Sequence, residues 1–350
     1  MACRWALGSA SLASVSFHGL PPSFTPRTPW SILPLGNMNS LIIGTRGSAL
    51  ALAQTRWVAS ALRKAHPGLN IEERVIRTTG DAAADAPLAS LGSVGLFTSE
   101  LERALLDGDV DIAVHSMKDL PTESPAELAV VAVPQREDPR DALVLPEGQN
   151  VDPQELQELP LPPGAVVATC SLRRRAQLAA GRPDLSFAEI RGNVDTRLRK
   201  LDSGQFSACV LASAGLIRLG LADRAALPLA PALCTPAPGQ GALAVQARAD
   251  RPELAQLVSV IHHADTWAAS TAERAVLRLL GGGCQVPMGA FARVDGGRLA
   301  MIVRLADPFG RQVIRVDAEG DPRDPEAVAR VAAAALRQQG ADRFLEAHTG

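Results

Sequence analysis

Three glycines precede a cysteine in the string Gly281-Gly282-Gly283-Cys284-Gln285-Val286-Pro287. Consecutive residues without side chains open backbone angles that other residues avoid and let another group come close. A thiol displayed in this way can act as a nucleophile, as a metal ligand or as the attachment point of something large. The plain alternative is a loop thiol with no role. The five cysteines (3, 170, 209, 234 and 284) are scattered, and no two have the spacing of a zinc or redox motif. A disulfide framework and a metal site are therefore not expected, and a reducing cytoplasm is the expected compartment.

Four basic or polar clusters form a second candidate centre. They are Thr45-Arg46-Gly47-Ser48, Thr169-Cys170-Ser171-Leu172-Arg173-Arg174-Arg175, Arg191-Gly192-Asn193 with Arg197 one turn on, and Arg218 after Ala214-Gly215-Leu216. Each joins hydroxyls or free backbone N–H groups to guanidinium groups where a strand gives way to a helix, a place that already favours anions. Any single cluster can be solvated surface charge. Four at equivalent strand ends point to a polyanion with several carboxylates or phosphates. The chain has neither a Walker-type loop nor a Gly-x-Gly-x-x-Gly fingerprint, which favours carboxylates. Asp119 ends the string His115-Ser116-Met117-Lys118-Asp119 after an apolar run. A carboxylate among arginines stays ionised and can stabilise a cationic nitrogen or move a proton; a helix cap or a salt bridge to Lys118 is the alternative. His115 is a candidate base or a satisfied structural histidine. The His262-His263 pair lacks the partners of a nucleophilic triad.

These residues need strand ends and helix starts to hold them, and the sequence supplies both. Leu41–Ile43 reads as a strand and Ser48 as the cap of a helix with an apolar face of Leu50, Ala53, Trp57, Val58, Ala61 and Leu62. A strand over about 69–77, a loop over 80–97, a helix opened by a Ser99–Glu102 capping box and a strand over Val110–Val114 follow. The same alternation repeats between about 165 and 211, so parallel sheets with crossover helices are expected, with ligands at the carboxyl ends of strands. Pro231–Gly241 reads as a crossover, and two helices near 251–262 and 265–280 lead to the glycine-cysteine loop. Three short strands near 288–318 and a helix capped by Asp324 complete a small α+β tail. Residues 1–39 carry no Asp or Glu and are expected to stand outside the fold, as a transit peptide or, preferably, as residues upstream of a true start at Met38. A net charge of −2 gives no general attraction to nucleic acid or membrane surfaces, and no apolar run is long enough to span a bilayer.

Taken together, the motifs resemble those of the porphobilinogen deaminase (hydroxymethylbilane synthase) family. The resemblance runs from about Leu41 almost to the C-terminus. It rests on Gly44-Thr45-Arg46-Gly47-Ser48, Asp111 to Asp119, Arg136-Glu137-Asp138-Pro139-Arg140-Asp141, Ser171 to Arg174, Arg191-Gly192-Asn193, Pro238-Gly239-Gln240-Gly241 and Gly282 to Pro287. It implies three domains: two periplasmic-binding-protein-like doubly wound α/β domains around a cleft, and a small α+β C-terminal domain. Here these would be residues 40–135 with 241–260, residues 136–240, and residues 261–350. The implied enzyme is a transferase that joins four porphobilinogen molecules head to tail, releasing ammonia each time, to give a linear tetrapyrrole for porphyrin biosynthesis. The implied cofactor is dipyrromethane in thioether linkage to Cys284, and the implied catalytic residue is Asp119. Lys118, Ser48, Thr169, Ser171, Arg173, Arg174, Arg191 and Arg197 correspond to cofactor-binding positions, and Arg46, Arg218, Gln240 and Phe97 to substrate-binding ones. A cytoplasmic monomer with no metal is implied, passing its product to uroporphyrinogen-III synthase.

The chain departs from the family pattern at Ser90 and Val94, where lysines are usual, and at Ala49, Cys170, Pro238 and Arg175. Two other classes fit parts of the pattern. A carboxylate-binding sensor of the periplasmic type needs no thiol on a glycine loop. A transferase that turns over on Cys284 would carry a bare thiol.

Overall fold

The computed structural model describes residues 38–77, 98–149, 159–281 and 286–346. Cys284, Phe97, Ser90 and Val94, the whole 80–97 loop and most of the N-terminal extension lie outside these residues.

In chain order the first elements are β1 (Ser40–Thr45), α1 (Ala49–Ala65), β2 (Asn70–Val75), α2 (Ser99–Leu106), β3 (Ile112–Ser116) and β4 (Leu128–Ala132). A second run comprises β5 (Asp141–Val144), β6 (Val166–Ala168), α3 (Leu172–Gly181), β7 (Ser186–Ala188), α4 (Val194–Lys200), β8 (Ala208–Ala212), α5 (Ser213–Arg218) and β9 (Leu227–Pro228). The chain then forms β10 (Leu243–Arg248), α6 (Pro252–Val258), α7 (Ala264–Leu279), β11 (Met288–Asp295), β12 (Arg298–Ala306), β13 (Val313–Gly320), α8 (Pro325–Gln338) and α9 (Asp342–Glu346).

These strands build two five-stranded sheets, in the orders β2-β1-β3-β10-β4 and β7-β6-β8-β5-β9, and a three-stranded sheet β11-β12-β13. The mixed α/β class and the α+β tail are as expected from the sequence. The sheets are not purely parallel. In the first, β1 is parallel to β2 and β3, but β10 is antiparallel to β3 and β4. In the second, β6 is parallel to β7 and β8, but β5 is antiparallel to β8 and β9. The cause is connectivity. The chain leaves the first sheet after β4, enters the second at β5, and returns from β9 to β10. Each sheet's inserted antiparallel strand lies where the chain crosses over.

Apolar spacing explains the packing. In α1 the buried positions are Ala51, Gln54, Thr55, Val58, Ala59 and Leu62, an i, i+3, i+4 stripe against Leu41, Ile43, Ile112 and Val245. This stripe is rotated from the expected face, leaving Trp57 48% exposed. Gln54 lies inside because its amide donates to the Ser116 hydroxyl at 2.8 Å, so its burial costs no unpaired group. Ser48 caps α1 as expected, its hydroxyl accepting from Ala51 N at 3.3 Å. The capping box at Ser99 does not form. Thr98 is the N-cap, Ser99 turns to Glu100, and the Glu102 carboxylate instead accepts from Gln246 of β10 at 3.2 Å. In the tail, α7 and α8 cover one face of the antiparallel sheet through Ala272, Val276, Val303, Val328 and Leu336. Asp324 caps α8 through Ala327 N at 3.0 Å.

Candidate active site

At the carboxyl end of β3 the chain makes one 3-10 turn, Met117–Asp119. Met117 is buried, and Gly239 presses on it. A Cβ built on Gly239 would stand 2.6 Å from Met117 Cγ, and Gly239 holds a φ of 73° that favours glycine. The turn thus displays Asp119 outward. Its side chain is exposed, and among the described residues no hydrogen bond or ion pair engages its carboxylate. The alternative reading of Asp119 as a salt-bridge partner of Lys118 is not what forms. Lys118 Nζ instead donates to Gln240 Oε1 at 3.4 Å.

Beside Asp119 opens a small pocket. Arg46, Ser48, Gln54, Thr98, His115 and Ser116 line it together with Asp119. Two buried polar atoms in this lining, Thr98 Oγ1 and His115 Nε2, have no hydrogen-bond partner among the described residues. Burial pushes the His115 imidazole down to about 4, with Gln246 opposing and Arg46 reinforcing the shift. His115 therefore stays neutral at physiological pH and is at most a weak base there. As pH falls from 6.5 to about 4, the unfolded chain takes up a proton that the folded chain refuses, so stability drops over that window. This one group should cost up to about 3 kcal/mol at the acid end. Chemical denaturation on both sides of the window should show a smaller acid loss for His115→Gln than for the parent chain. Equal losses would show that His115 is not the group responsible.

On the other side of Lys118 lies a buried cluster that the sequence reading did not assemble. Asp141 opens β5 at 0% exposure and accepts from Arg173 Nη1 at 2.7 Å and Arg174 Nη2 at 2.8 Å. Both arginines are 6% exposed. Arg173 also donates to Thr235 O and Arg174 to Val210 O, at 2.7 and 2.8 Å. Burial works against the Asp141 charge, but the two guanidiniums outweigh it and hold the carboxyl well below the usual range. Gln240 completes the cluster, its amide donating to Asp141 Oδ1 at 2.9 Å and Pro139 O at 2.7 Å. The glycine after it is needed, since a Cβ on Gly241 would lie 2.5 Å from Glu137 O. Burial brings the Lys118 amine down to about 8, with Asp119 and Asp141 opposing and Arg174 and Arg173 reinforcing. Lys118 is thus mostly charged at neutral pH, and three cations surround one buried carboxylate. The excess positive charge favours an anionic ligand.

The remaining candidates stand at neighbouring strand ends. Thr169 Oγ1 accepts from Ser171 N at 3.2 Å, and Ser171 caps α3 by accepting from Arg174 N at 3.4 Å. Arg197 Nε donates to Gly192 O at 2.8 Å, and burial lowers its pKa while Cys170 and Asp119 oppose. Arg191 pairs with the exposed Glu189 at 2.9 Å. Arg218 donates to Gly241 O at 2.7 Å, on the segment returning to β10. The structure therefore gathers Arg46, Ser48 and Asp119 at one cavity, and Lys118, Gln240, Arg173 and Arg174 in one cluster. Cys284 and Phe97 lie outside the described residues. Burial pushes the Cys209 and Cys234 thiols up to about 12, so neither competes as a nucleophile.

Sequence reasoning assigned no role to Asp141, Arg136, Glu273 or Arg274. Arg136 and the fully buried Glu273 of α7 form a bidentate pair at 2.7 and 3.0 Å. Glu273 also accepts from Gly239 N and Ala292 N, both at 2.7 Å, tying the tail to both crossing segments. A charged residue at a helical position otherwise facing the core is the available signal for it.

A polycarboxylate group fits this donor set. Unpartnered polar atoms line the cavity, cations exceed carboxylates behind Lys118, and no group of three metal-ligating side chains occurs among the described residues. Comparison with known proteins points to one family. Residues 41–256 match the family model "Porphobilinogen deaminase, dipyromethane cofactor binding domain", and residues 267–338 match "Porphobilinogen deaminase, C-terminal domain". The porphobilinogen deaminase of Desulforudis audaxviator is 48% identical over 305 residues, covering 87% of this chain and 96% of that protein. Those of Synechococcus sp. (strain CC9311) and Moorella thermoacetica are 46% and 47% identical over 309 residues, each covering 88% of this chain and 96% of the relative. Matched over nearly its whole described length, the chain belongs to the porphobilinogen deaminase family.

Proposed function

We propose that the chain condenses four porphobilinogen molecules head to tail, releasing ammonia at each addition, with Asp119 as the catalytic residue and a dipyrromethane attached through a thioether to Cys284. The observation that carries this reading is the Asp119 carboxylate, exposed and unpartnered beside a cavity and a cationic cluster. Family membership supports the transferase activity and the dipyrromethane cofactor and speaks against a carboxylate sensor.

When bound, the dipyrromethane supplies the free pyrrole end to which substrate units are added. The chain's own groups bind, orient and move protons. Lys118, Ser48, Thr169, Ser171, Arg191 and Arg197 hold the cofactor's carboxylates. Arg173 and Arg174 contribute charge from behind, anchored by Asp141. Arg46, Arg218 and Phe97 receive the incoming substrate's carboxylates and ring. Gln240, buried at 1% exposure, acts through Lys118 and Asp141 rather than by touching substrate. Asp119 stabilises positive charge on pyrrole nitrogen and takes up the proton displaced at the ring carbon. In a site screened from water such stabilisation is a large part of catalysis.

The domain division proposed is residues 40–135 with 241–260, residues 136–240, and residues 261–350. We further propose a cytoplasmic monomer that passes its product to uroporphyrinogen-III synthase. No helix among the described residues is long and apolar enough to cross a membrane.

Intact-mass measurement of the purified active protein tests the reading. The expected mass exceeds the polypeptide's by two pyrrole units, and Cys284→Ser should lose both the increment and the activity. An unmodified thiol in active protein would overturn the tethered-cofactor mechanism. The same spectrum reports where the mature N-terminus lies.

A further inference from the structure

Arg274 of α7 belongs to the tail, yet its guanidinium reaches the turn that carries Asp119. Nη1 donates to Met117 O at 3.1 Å and to Leu120 O at 2.7 Å, and Nη2 donates to Pro121 O at 2.5 Å. These carbonyls bracket Lys118 and Asp119 on both sides. Apart from the packing of Met117 and the bond from Lys118 to Gln240, the turn's backbone is held by Met117 N donating to Ala242 O at 3.0 Å and by Leu120 N donating to Met117 O at 3.3 Å, and neither bond engages Leu120 O or Pro121 O. Carbonyls at the end of so short a helix lack partners of their own and need outside donors. A planar guanidinium offers several N–H groups in a fixed fork and stays charged, which suits three carbonyls at once.

The preceding residue fixes the fork in place. Glu273 is clamped by Arg136, Gly239 N and Ala292 N, so α7 can neither rotate nor slide without breaking a buried ion pair. The same helix ends at Leu279 and leads through Gly281 towards Cys284.

We propose that Arg274 is the positioning residue for Asp119, holding its turn against α7. This inference rests on Asp119 being the catalytic group. Arg274 does not touch substrate; it acts through the peptide groups on either side of Asp119. A displacement of about 1 Å in a reacting group can cost about a hundredfold in rate.

The test is a double-variant cycle on the holoenzyme. Arg274→Met should lower kcat by about a hundredfold while KM moves little. Arg274→Lys, which keeps a cation and part of the donor set, should recover much of the loss. In the Asp119→Asn background the Arg274→Met change should cost almost nothing further, because the group it positions is already disabled. Added guanidinium should partly restore kcat in Arg274→Ala, which also covers the case in which the Met variant folds poorly. Near-normal kcat in Arg274→Met, or the same fold loss in both backgrounds, overturns the proposal. A low Asp119→Asn rate with an additive cycle overturns this inference alone. Full activity in Asp119→Asn overturns the functional reading as well.

Discussion

Turnover is expected to fall by about a thousandfold or more in Asp119→Asn, with the fold left intact. The amide is nearly the same size as the carboxylate, and no partner within the described residues is lost, because none engages Asp119. The change therefore falls on the chemistry. Removing a charge that stabilises a developing cation in a partly enclosed site costs on the order of 4 kcal/mol, about three powers of ten. Binding should suffer less, since Arg46, Ser48 and Lys118 supply the anion contacts independently. The expected pattern is a collapse in kcat with KM and thermal midpoint almost unchanged. Asp119→Glu keeps the charge but carries it one methylene further, and should fall between. Near-normal turnover in the Asn variant would remove Asp119 from the mechanism; a large drop in thermal midpoint would instead make it a structural residue.

What the sequence made legible was local. Ser48 and Asp324 each cap the helix that follows them, because a cap needs only its own side chain and the next few amides. The alternation of apolar runs and helical stripes was enough for two α/β sheets and an α+β tail. What stayed hidden depended on distant partners. Strand β10 follows a Pro/Gly-rich crossover, and its place between β3 and β4 is set by pairings over more than a hundred residues. Trp57 looked like part of an apolar face, but Ser116 draws Gln54 inward and turns α1. Glu102 has the spacing of a capping box and bonds to β10 instead. At the site, the chemistry of Asp119 and of the arginines could be read from residue type. That Arg173 and Arg174 are buried could not, because the carboxylate that makes it tolerable lies in another segment. Arg274 was invisible for the same reason: its acceptors are backbone carbonyls, which leave no mark in a sequence.

That buried carboxylate carries the largest expected effect on stability. Asp141→Ala should destabilise the protein by about 3–5 kcal/mol, the usual consequence of leaving buried charges without their partner. Here two guanidiniums and, through Gln240, an ammonium lose it together. Because burial alone would raise the Asp141 carboxyl and the two arginines more than reverse this, the carboxylate is charged at every pH above the ordinary carboxylate range. The cost should therefore be constant above about pH 4 and shrink only in stronger acid. Urea denaturation of the parent and variant at neutral and acidic pH checks both statements. A further variant separates stability from function. Replacing all three members with apolar residues of similar volume, as Asp141→Leu with Arg173→Met and Arg174→Met, should recover much of the lost stability, since buried ion clusters often contribute little net stability compared with close apolar packing. If the cluster exists to give the cleft its positive charge, that triple variant folds but fails to retain the dipyrromethane mass increment. A stable triple variant that keeps both the increment and turnover would show that the arginine pair serves only the packing of the second sheet.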